Sequence, residues 1–243
     1  MYLVLDNPYL SLDDFLDIQS LDAIIDDIIL GIAKSRSSAG PTNSGPGYVD
    51  KTKKSVPEIY REISSDSSHP YYNLLTSLKD WEPQTFIQYK WPSHVLGQCI
   101  ILRLSTSYEN KNSNTSSKDL PAIKHFQSLM SWIEQQNIFK EIGRAVIMLN
   151  DPYSVSIEHS DYVDGVSRKD NFIWLNPLQR KKFFIRDGDT KNYITSKTAF
   201  FDSANVHGSD PSDSSTFSIR FDGVFSEEFL KKTGLEKWTM SKI

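Results

Sequence analysis

Two histidines, an aspartate and an arginine in the C-terminal half of the chain have the types and spacing needed for chemistry at a metal. His159 and Asp161 stand two residues apart in Ser156-Ile157-Glu158-His159-Ser160-Asp161. In an extended chain, residues i and i+2 point to the same face. An imidazole and a carboxylate therefore converge at a strand end, on the face shared with Val155 and Ile157. The pair alone is a weak signal, since a strand-end histidine hydrogen-bonded to a nearby aspartate gives the same pattern. His207 raises its specificity. It lies 48 positions after His159, behind the apolar run Phe200-Phe201 and just before Gly208. In a jelly-roll arrangement of strands, that separation returns the second histidine beside the first. Two imidazoles and one carboxylate form a facial set that leaves three adjacent positions open on Fe(II). A closed four-ligand zinc site would need more donors, and the chain has one cysteine and five histidines in all.

Arg220 is the fourth residue. The run Phe217-Ser218-Ile219-Arg220-Phe221 alternates cleanly. Phe217, Ile219 and Phe221 face one way, toward a helix-covered layer, and Ser218 and Arg220 face the interior. A guanidinium on a buried face is costly unless an anion meets it. Its planar fork suits a carboxylate. Two partners stand open: a protein carboxylate such as Asp202 or Asp222, and the carboxylate of a bound dicarboxylate. With His159, Asp161 and His207 present, the second is the stronger reading.

The elements that must position these residues follow from the hydrophobic period. From Ala145 onward the period is two, with candidate strands over Ala145–Leu149, Ser154–His159, Asn171–Asn176, Lys182–Arg186, Asn192–Thr195, Thr198–Ser203 and Phe217–Val224. Turn signals separate them at Asn150-Asp151-Pro152, Asp187-Gly188-Asp189 and Gly208-Ser209-Asp210-Pro211. Short strands at this density predict a sandwich or barrel of the jelly-roll kind. The first half reads as helical from Ser11 to Arg36, with Ser20 as an N-cap and Leu21, Ile24, Ile25, Ile28 and Ile32 as the apolar stripe. A second amphipathic helix is predicted over 121–139, opened by Pro121, with Ile123, Phe126, Leu129, Met130 and Ile133 on one face. Shorter helical pieces are expected at 57–63 and 71–81, and strands at 86–89 and 98–104. The polar stretches 37–55 and 108–118 read as loops. Stretch 162–170 reads as a loop that could lie over the barrel mouth. Cys99, flanked by apolar residues, reads as a core residue and not a nucleophile. His125 sits off the apolar stripe of its helix and takes no role, and His69 and His94 have no partners at ligand spacing.

Composition narrows the function classes. The chain has 243 residues, 38% of them hydrophobic and 12% aromatic, enough for one domain with a substantial core. Its net charge of −4 argues against a broad nucleic-acid groove, although Lys51, Lys53 and Lys54 form a local basic cluster. The sequence shows no apolar run long enough for a membrane helix and no secretory signal at the first residues. The expectation is a soluble, intracellular (cytoplasmic) protein without a membrane partner.

Taken in order, His159-x-Asp161, then His207, then Arg220 thirteen residues later resembles the Fe(II)/2-oxoglutarate-dependent oxygenases. The resemblance covers about 145–225, and the run Phe217–Phe225 resembles phage and marine-bacterial members of that superfamily. It implies a mainly β fold with flanking helices: a double-stranded β-helix (jelly roll) with an N-terminal helical region packed on the major sheet. It also implies a single oxygenase domain, with 1–140 in support and 141–230 as the core. His159, Asp161 and His207 would hold Fe(II). The far carboxylate of 2-oxoglutarate would pair with Arg220, helped by the Ser218 hydroxyl. A second contact from Tyr153, Trp174 or Lys182 stays unassigned. Dioxygen is the co-substrate and ascorbate a reductant. The implied activity is hydroxylation of an unactivated C–H bond, coupled to decarboxylation of 2-oxoglutarate to succinate and CO2. Family analogy puts a protein side chain (prolyl or asparaginyl) first among substrates and a free amino acid or small metabolite next. Two other classes remain: a non-catalytic jelly-roll binding module, and a cupin-like metal enzyme with no need of Arg220.

Overall fold

The computed structural model describes residues 7–35, 65–68, 99–106, 118–119, 121–150, 156–163, 166–167 and 171–236. The expectations for 37–55, 57–63, 71–81 and 86–89 lie outside them, as do most of 108–118 and the residues His69, His94, Tyr153 and Lys51, Lys53 and Lys54.

Thirteen strands are described. They are β1 (Tyr9–Ser11), β2 (Cys99–Thr106), β3 (Lys118–Asp119), β4 (Phe139–Asn150), β5 (Ser156–His159), β6 (Tyr162–Val163), β7 (Val166–Ser167), β8 (Phe172–Leu175), β9 (Lys182–Asp187), β10 (Thr190–Tyr193), β11 (Thr198–Phe201), β12 (His207–Asp210) and β13 (Thr216–Phe225). Seven form one antiparallel sheet in the order β1-β11-β8-β13-β4-β2-β3, and four form a second in the order β10-β9-β12-β5. Strands β6 and β7 make a small hairpin. The pairings nest: β4 with β13, β5 with β12, β8 with β11, and β9 with β10. A chain folded back on itself so that first pairs with last, second with second-to-last, and so on inward is a jelly roll. The fold class is thus mainly β, a double-stranded β-helix with few helices.

Helices cover the outer face of the larger sheet. They are α1 (Ile18–Ala23), α2 (Ile25–Lys34), α3 (Gln127–Gln135) and α4 (Glu227–Thr233). Leu21, Ile28, Ile32, Phe126, Leu129, Trp132 and Ile133 bury against Ile147, Phe217, Ile219 and Phe221. Each of these large side chains contributes about 1.5–3 kcal/mol when fully withdrawn from water. A second, smaller core of Phe172, Trp174, Phe183, Ile185, Ile194, Ala199 and Phe201 fills the space between the sheets.

The predicted boundaries shift in four places. The stretch read as helical from Ser11 to Arg36, a short turn or helix followed by a second piece capped at Ser20, begins with the end of β1 and breaks instead at Ile24. The cap of α1 is Asp17, not Ser20: its carboxylate accepts from the Ser20 N–H at 3.0 Å, which lowers its pKa. The helix read over 121–139 opens as a 3-10 turn, Pro121–His125, and α3 ends at Gln135 because Phe139 already starts β4. Gly208-Ser209-Asp210, read as a turn, lies in strand β12. The stretch 162–170 contains the β6–β7 hairpin.

Strand β13 passes very close to β4 at a bulge between Phe221 and Gly223. A Cβ at Gly223 would press into the Glu141 carbonyl oxygen and the Phe139 ring. Overpacking of this kind costs about 1–3 kcal/mol. Gly223→Ala is therefore expected to lower the denaturation midpoint measurably. An unchanged midpoint would show that the bulge has room.

Candidate metal centre

Strand pairing brings the two histidines together. His207, the first residue of β12, is the direct partner of His159, the last residue of β5. Their ring centroids lie 4.4 Å apart. The chain then turns, and the Asp161 N–H donates to the Ser203 carbonyl at 2.8 Å, which fixes the carboxylate at the same strand end. His159 Nε2 and Asp161 Oδ1 are 3.8 Å apart. One donor atom from each of His159, Asp161 and His207 lies within 4.8 Å of the others. Among the described residues this is the one group of three or more histidine, cysteine and carboxylate side chains so placed.

The protonation of His207 is set for ligation. Its Nδ1 lies 2.8 Å from the Asn205 carbonyl oxygen, which can only accept, so Nδ1 carries the proton and Nε2 the lone pair. Burial pushes the pKa down to about 4, so the ring is neutral at physiological pH. A histidine whose second nitrogen is tied to a carbonyl is the usual arrangement around a bound metal. Phe183 and Phe201 pack against the His207 ring at 5.7 and 5.6 Å. His159 stands on the rim, with its side chain 54% exposed. The donor set, two imidazole nitrogens and one carboxylate with an open side, fits Fe(II) in a facial site.

Arg220 faces the interior as predicted, while Phe217, Ile219 and Phe221 join the helix-covered core. Its Nη1 donates to Asp161 Oδ2 at 3.4 Å. Its Nε donates to Asp222 Oδ1 at 2.9 Å, and Nη2 stands 2.8 Å from the same oxygen. Arg144 Nε donates to Asp222 Oδ2 at 2.8 Å. The guanidinium carbon lies 3.9 Å from the centre of the Phe172 ring. Charges thus alternate inward from the metal ligand: Asp161, Arg220, Asp222, Arg144. Of the two partners open to Arg220 in the sequence, Asp222 is one it does meet.

Ser218, also assigned to the co-substrate, is fully buried and accepts from Lys181 Nζ at 3.1 Å. Lys181 is itself only 5% exposed. Sequence reasoning missed it, because it lies in the basic run Arg180-Lys181-Lys182 at the entrance to β9. Lys182, one of the unassigned second contacts, is exposed. Trp174, another, is buried against Phe183, and its Nε1 makes no hydrogen bond among the described residues. On the opposite, solvent-facing side of the smaller sheet, Arg186 donates to Glu158 and Lys191 to Asp210, which lowers the pKa of both carboxylates.

No protein-family model matches the chain, and no curated protein does. Solved structures do match in part. One is an oxidoreductase of the 2OG-Fe(II) oxygenase family from Burkholderia pseudomallei, at 12% identity and a TM-score of 0.35 over 51% of this chain and 67% of that one. Another is a Pseudomonas putida prolyl-4-hydroxylase, at 11% identity and 0.32 over 53% and 71%. A third is a prolyl hydroxylase from Trichoplax adhaerens, in complex with a hypoxia inducible factor peptide fragment, at 10% and 0.34 over 57% and 66%. At these scores the likeness is partial; the fold assignment stands on the nested strand pairing and the site on its own geometry. No described helix is long and apolar enough to cross a membrane.

Proposed function

We propose that the protein is an Fe(II)- and 2-oxoglutarate-dependent oxygenase that hydroxylates an unactivated C–H bond. The observation that supports this reading most directly is the convergence of His159, Asp161 and His207 at the mouth of the jelly roll. Fe(II) held by these three residues would supply the oxidising power, with dioxygen as oxidant and 2-oxoglutarate as the co-substrate converted to succinate and CO2.

The chain's own residues do the rest. His207 offers a neutral Nε2, because burial and the Asn205 carbonyl keep its ring neutral and oriented. Asp161 turns Oδ1 toward the histidines while Arg220 holds Oδ2, so one carboxylate oxygen is directed to the metal. Phe183 and Phe201 form a dry wall behind His207. The exposed rim at His159 suits a substrate presented from outside, such as a protein side chain or a free amino acid.

The test is anaerobic reconstitution with Fe(II) and 2-oxoglutarate, followed by admission of air. The wild-type protein is expected to develop the visible absorption of an iron–keto-acid chelate and then to form succinate. His159→Ala is expected to do neither, at an unchanged melting temperature, because its side chain is exposed. A wild-type protein that gives neither signal with Fe(II) at saturating 2-oxoglutarate would remove the oxygenase reading.

A further inference from the structure

We propose that the substrate carries a cationic head, an ammonium or guanidinium such as that of a lysyl or arginyl chain, and that Asp187 at the barrel mouth receives it. The proposal rests on the oxygenase reading and names the substrate class within it.

The register of the smaller sheet places Asp187. Directly paired residues on neighbouring strands point to the same face. At the level of the metal ligands one such row crosses the whole sheet: Asn192 on β10 pairs with Ile185 on β9, Ile185 with His207 on β12, and His207 with His159 on β5. This face is the interior one, since His207 touches Phe183 and Phe201 and Ile185 shares their core. Asp187 is the next residue of β9 on that face, about 7 Å beyond Ile185, and it is the last of its strand. His159 ends β5 and His207 opens β12 at the same end. Asp187 therefore stands past the metal ligands, on the open side.

The charges of β9 and β10 divide by face. Lys182, Arg186 and Lys191 take the solvent-facing side, where Arg186 meets Glu158 and Lys191 meets Asp210. On the interior face, the metal-end residues of the two strands are Asp187, Thr190 and Asn192, with no cation among them. The neighbouring acidic residues are engaged. The Asp189 carbonyl accepts from Arg186 Nη1 at 3.0 Å, and the Asp202 carboxylate accepts from the Ala204 N–H at 3.0 Å. The Asp187 carboxylate is exposed and meets no donor or cation among the described residues. An aspartate that opens a tight turn ordinarily accepts from the backbone two residues on. Here Gly188 makes the turn, with a φ of 56°, and the carboxylate takes no part. The hairpin thus does not account for an acid at this place.

A carboxylate at a concave mouth draws cations. A lysyl or arginyl chain has the two parts the geometry calls for: a charged head for Asp187, and a stem of methylene carbons whose C–H bonds reach back toward His207 and His159. Oxidation of one such bond balances with one atom of dioxygen entering the C–H bond and the other entering succinate, as 2-oxoglutarate loses CO2.

The test uses the whole protein with Fe(II) and 2-oxoglutarate. The probes are lysine, arginine and norleucine, which lacks the side-chain charge, each as the free amino acid and at the centre of a five-residue glycine peptide. Binding is measured anaerobically by calorimetry, and the gain of one oxygen atom by mass after air is admitted. Lysine or arginine is expected to bind about 5- to 10-fold more tightly than norleucine, the size of one charged pair at a partly exposed site, and to gain the oxygen. The form that binds, free or peptide, tells whether the cation belongs to a metabolite or to a protein side chain. Asp187→Asn is expected to erase the preference at unchanged affinity for Fe(II) and 2-oxoglutarate, and Asp187→Lys to invert it. Equal binding of all three side chains, or a preference that survives in Asp187→Asn, overturns the proposal and leaves the oxygenase reading intact. A wild-type protein that binds no 2-oxoglutarate removes both.

Discussion

Replacing His207 with alanine is expected to lower Fe(II) affinity by more than about 100-fold, since even residues that only orient a metal ligand are worth 10–100-fold. Succinate formation should disappear with it. The size of the effect follows from where the ring sits. His207 is buried, its Nδ1 proton is committed to the Asn205 carbonyl, and its Nε2 lone pair has been freed of competition from protons by a pKa pushed down to about 4. No other histidine among the described residues stands near enough to Asp161 and His159 to substitute. The variant also separates binding from folding. A metal that binds only the native state raises the melting temperature by mass action. The wild-type protein should therefore melt higher with Fe(II) added, and His207→Ala should melt at one temperature with or without it. Retention of a metal-dependent shift in the variant would place the ion elsewhere.

The metal centre was legible in the sequence because its geometry is local twice over. His159 and Asp161 share a strand end, and β13 states its two faces by simple alternation. Strand β12 was not legible. His-Gly-Ser-Asp has low strand propensity and reads as a turn. It is held extended by ladders on both sides, to β9 and to β5, and this tertiary pairing outweighs local preference. The same pairing is what sets His207 opposite His159, so the position of the second histidine was inferable while the strand that places it was not. Lys181 illustrates a different limit. Between Arg180 and Lys182 it looks like any solvated basic residue, and only the three-dimensional fold shows that its neighbours are exposed while it is buried. For Arg220, alternation told which face it takes, and not that it would lean along the strand toward Asp222.

Asp222→Ala is expected to cost about 3–5 kcal/mol of folding stability, the usual penalty when one partner of a buried ion pair is removed. That is a large part of the roughly 5–15 kcal/mol that holds a domain together. Asp222 is fully buried and accepts from two guanidiniums, Arg144 on β4 and Arg220 on its own strand. Removing it leaves two cations facing each other in the interior with no anion between them. Asp222→Asn keeps the shape and one acceptor, and should fall between alanine and wild type in chemical denaturation. The functional consequence travels through Arg220. With Asp222 gone, Nε and Nη2 lose the carboxylate oxygen they share, and the hold of Nη1 on Asp161 weakens. The surviving folded fraction is therefore expected to bind Fe(II) less tightly, although residue 222 touches no metal ligand directly. The double variant Arg144→Met/Asp222→Ala distinguishes the causes. It relieves the repulsion between the guanidiniums and should recover part of the stability, yet it restores nothing to Arg220 and should leave Fe(II) affinity low. A double variant that recovered both, or an alanine variant that lost less than about 1 kcal/mol, would mean that the Phe172 ring alone places Arg220 and that the buried row of charges plays no part in the site.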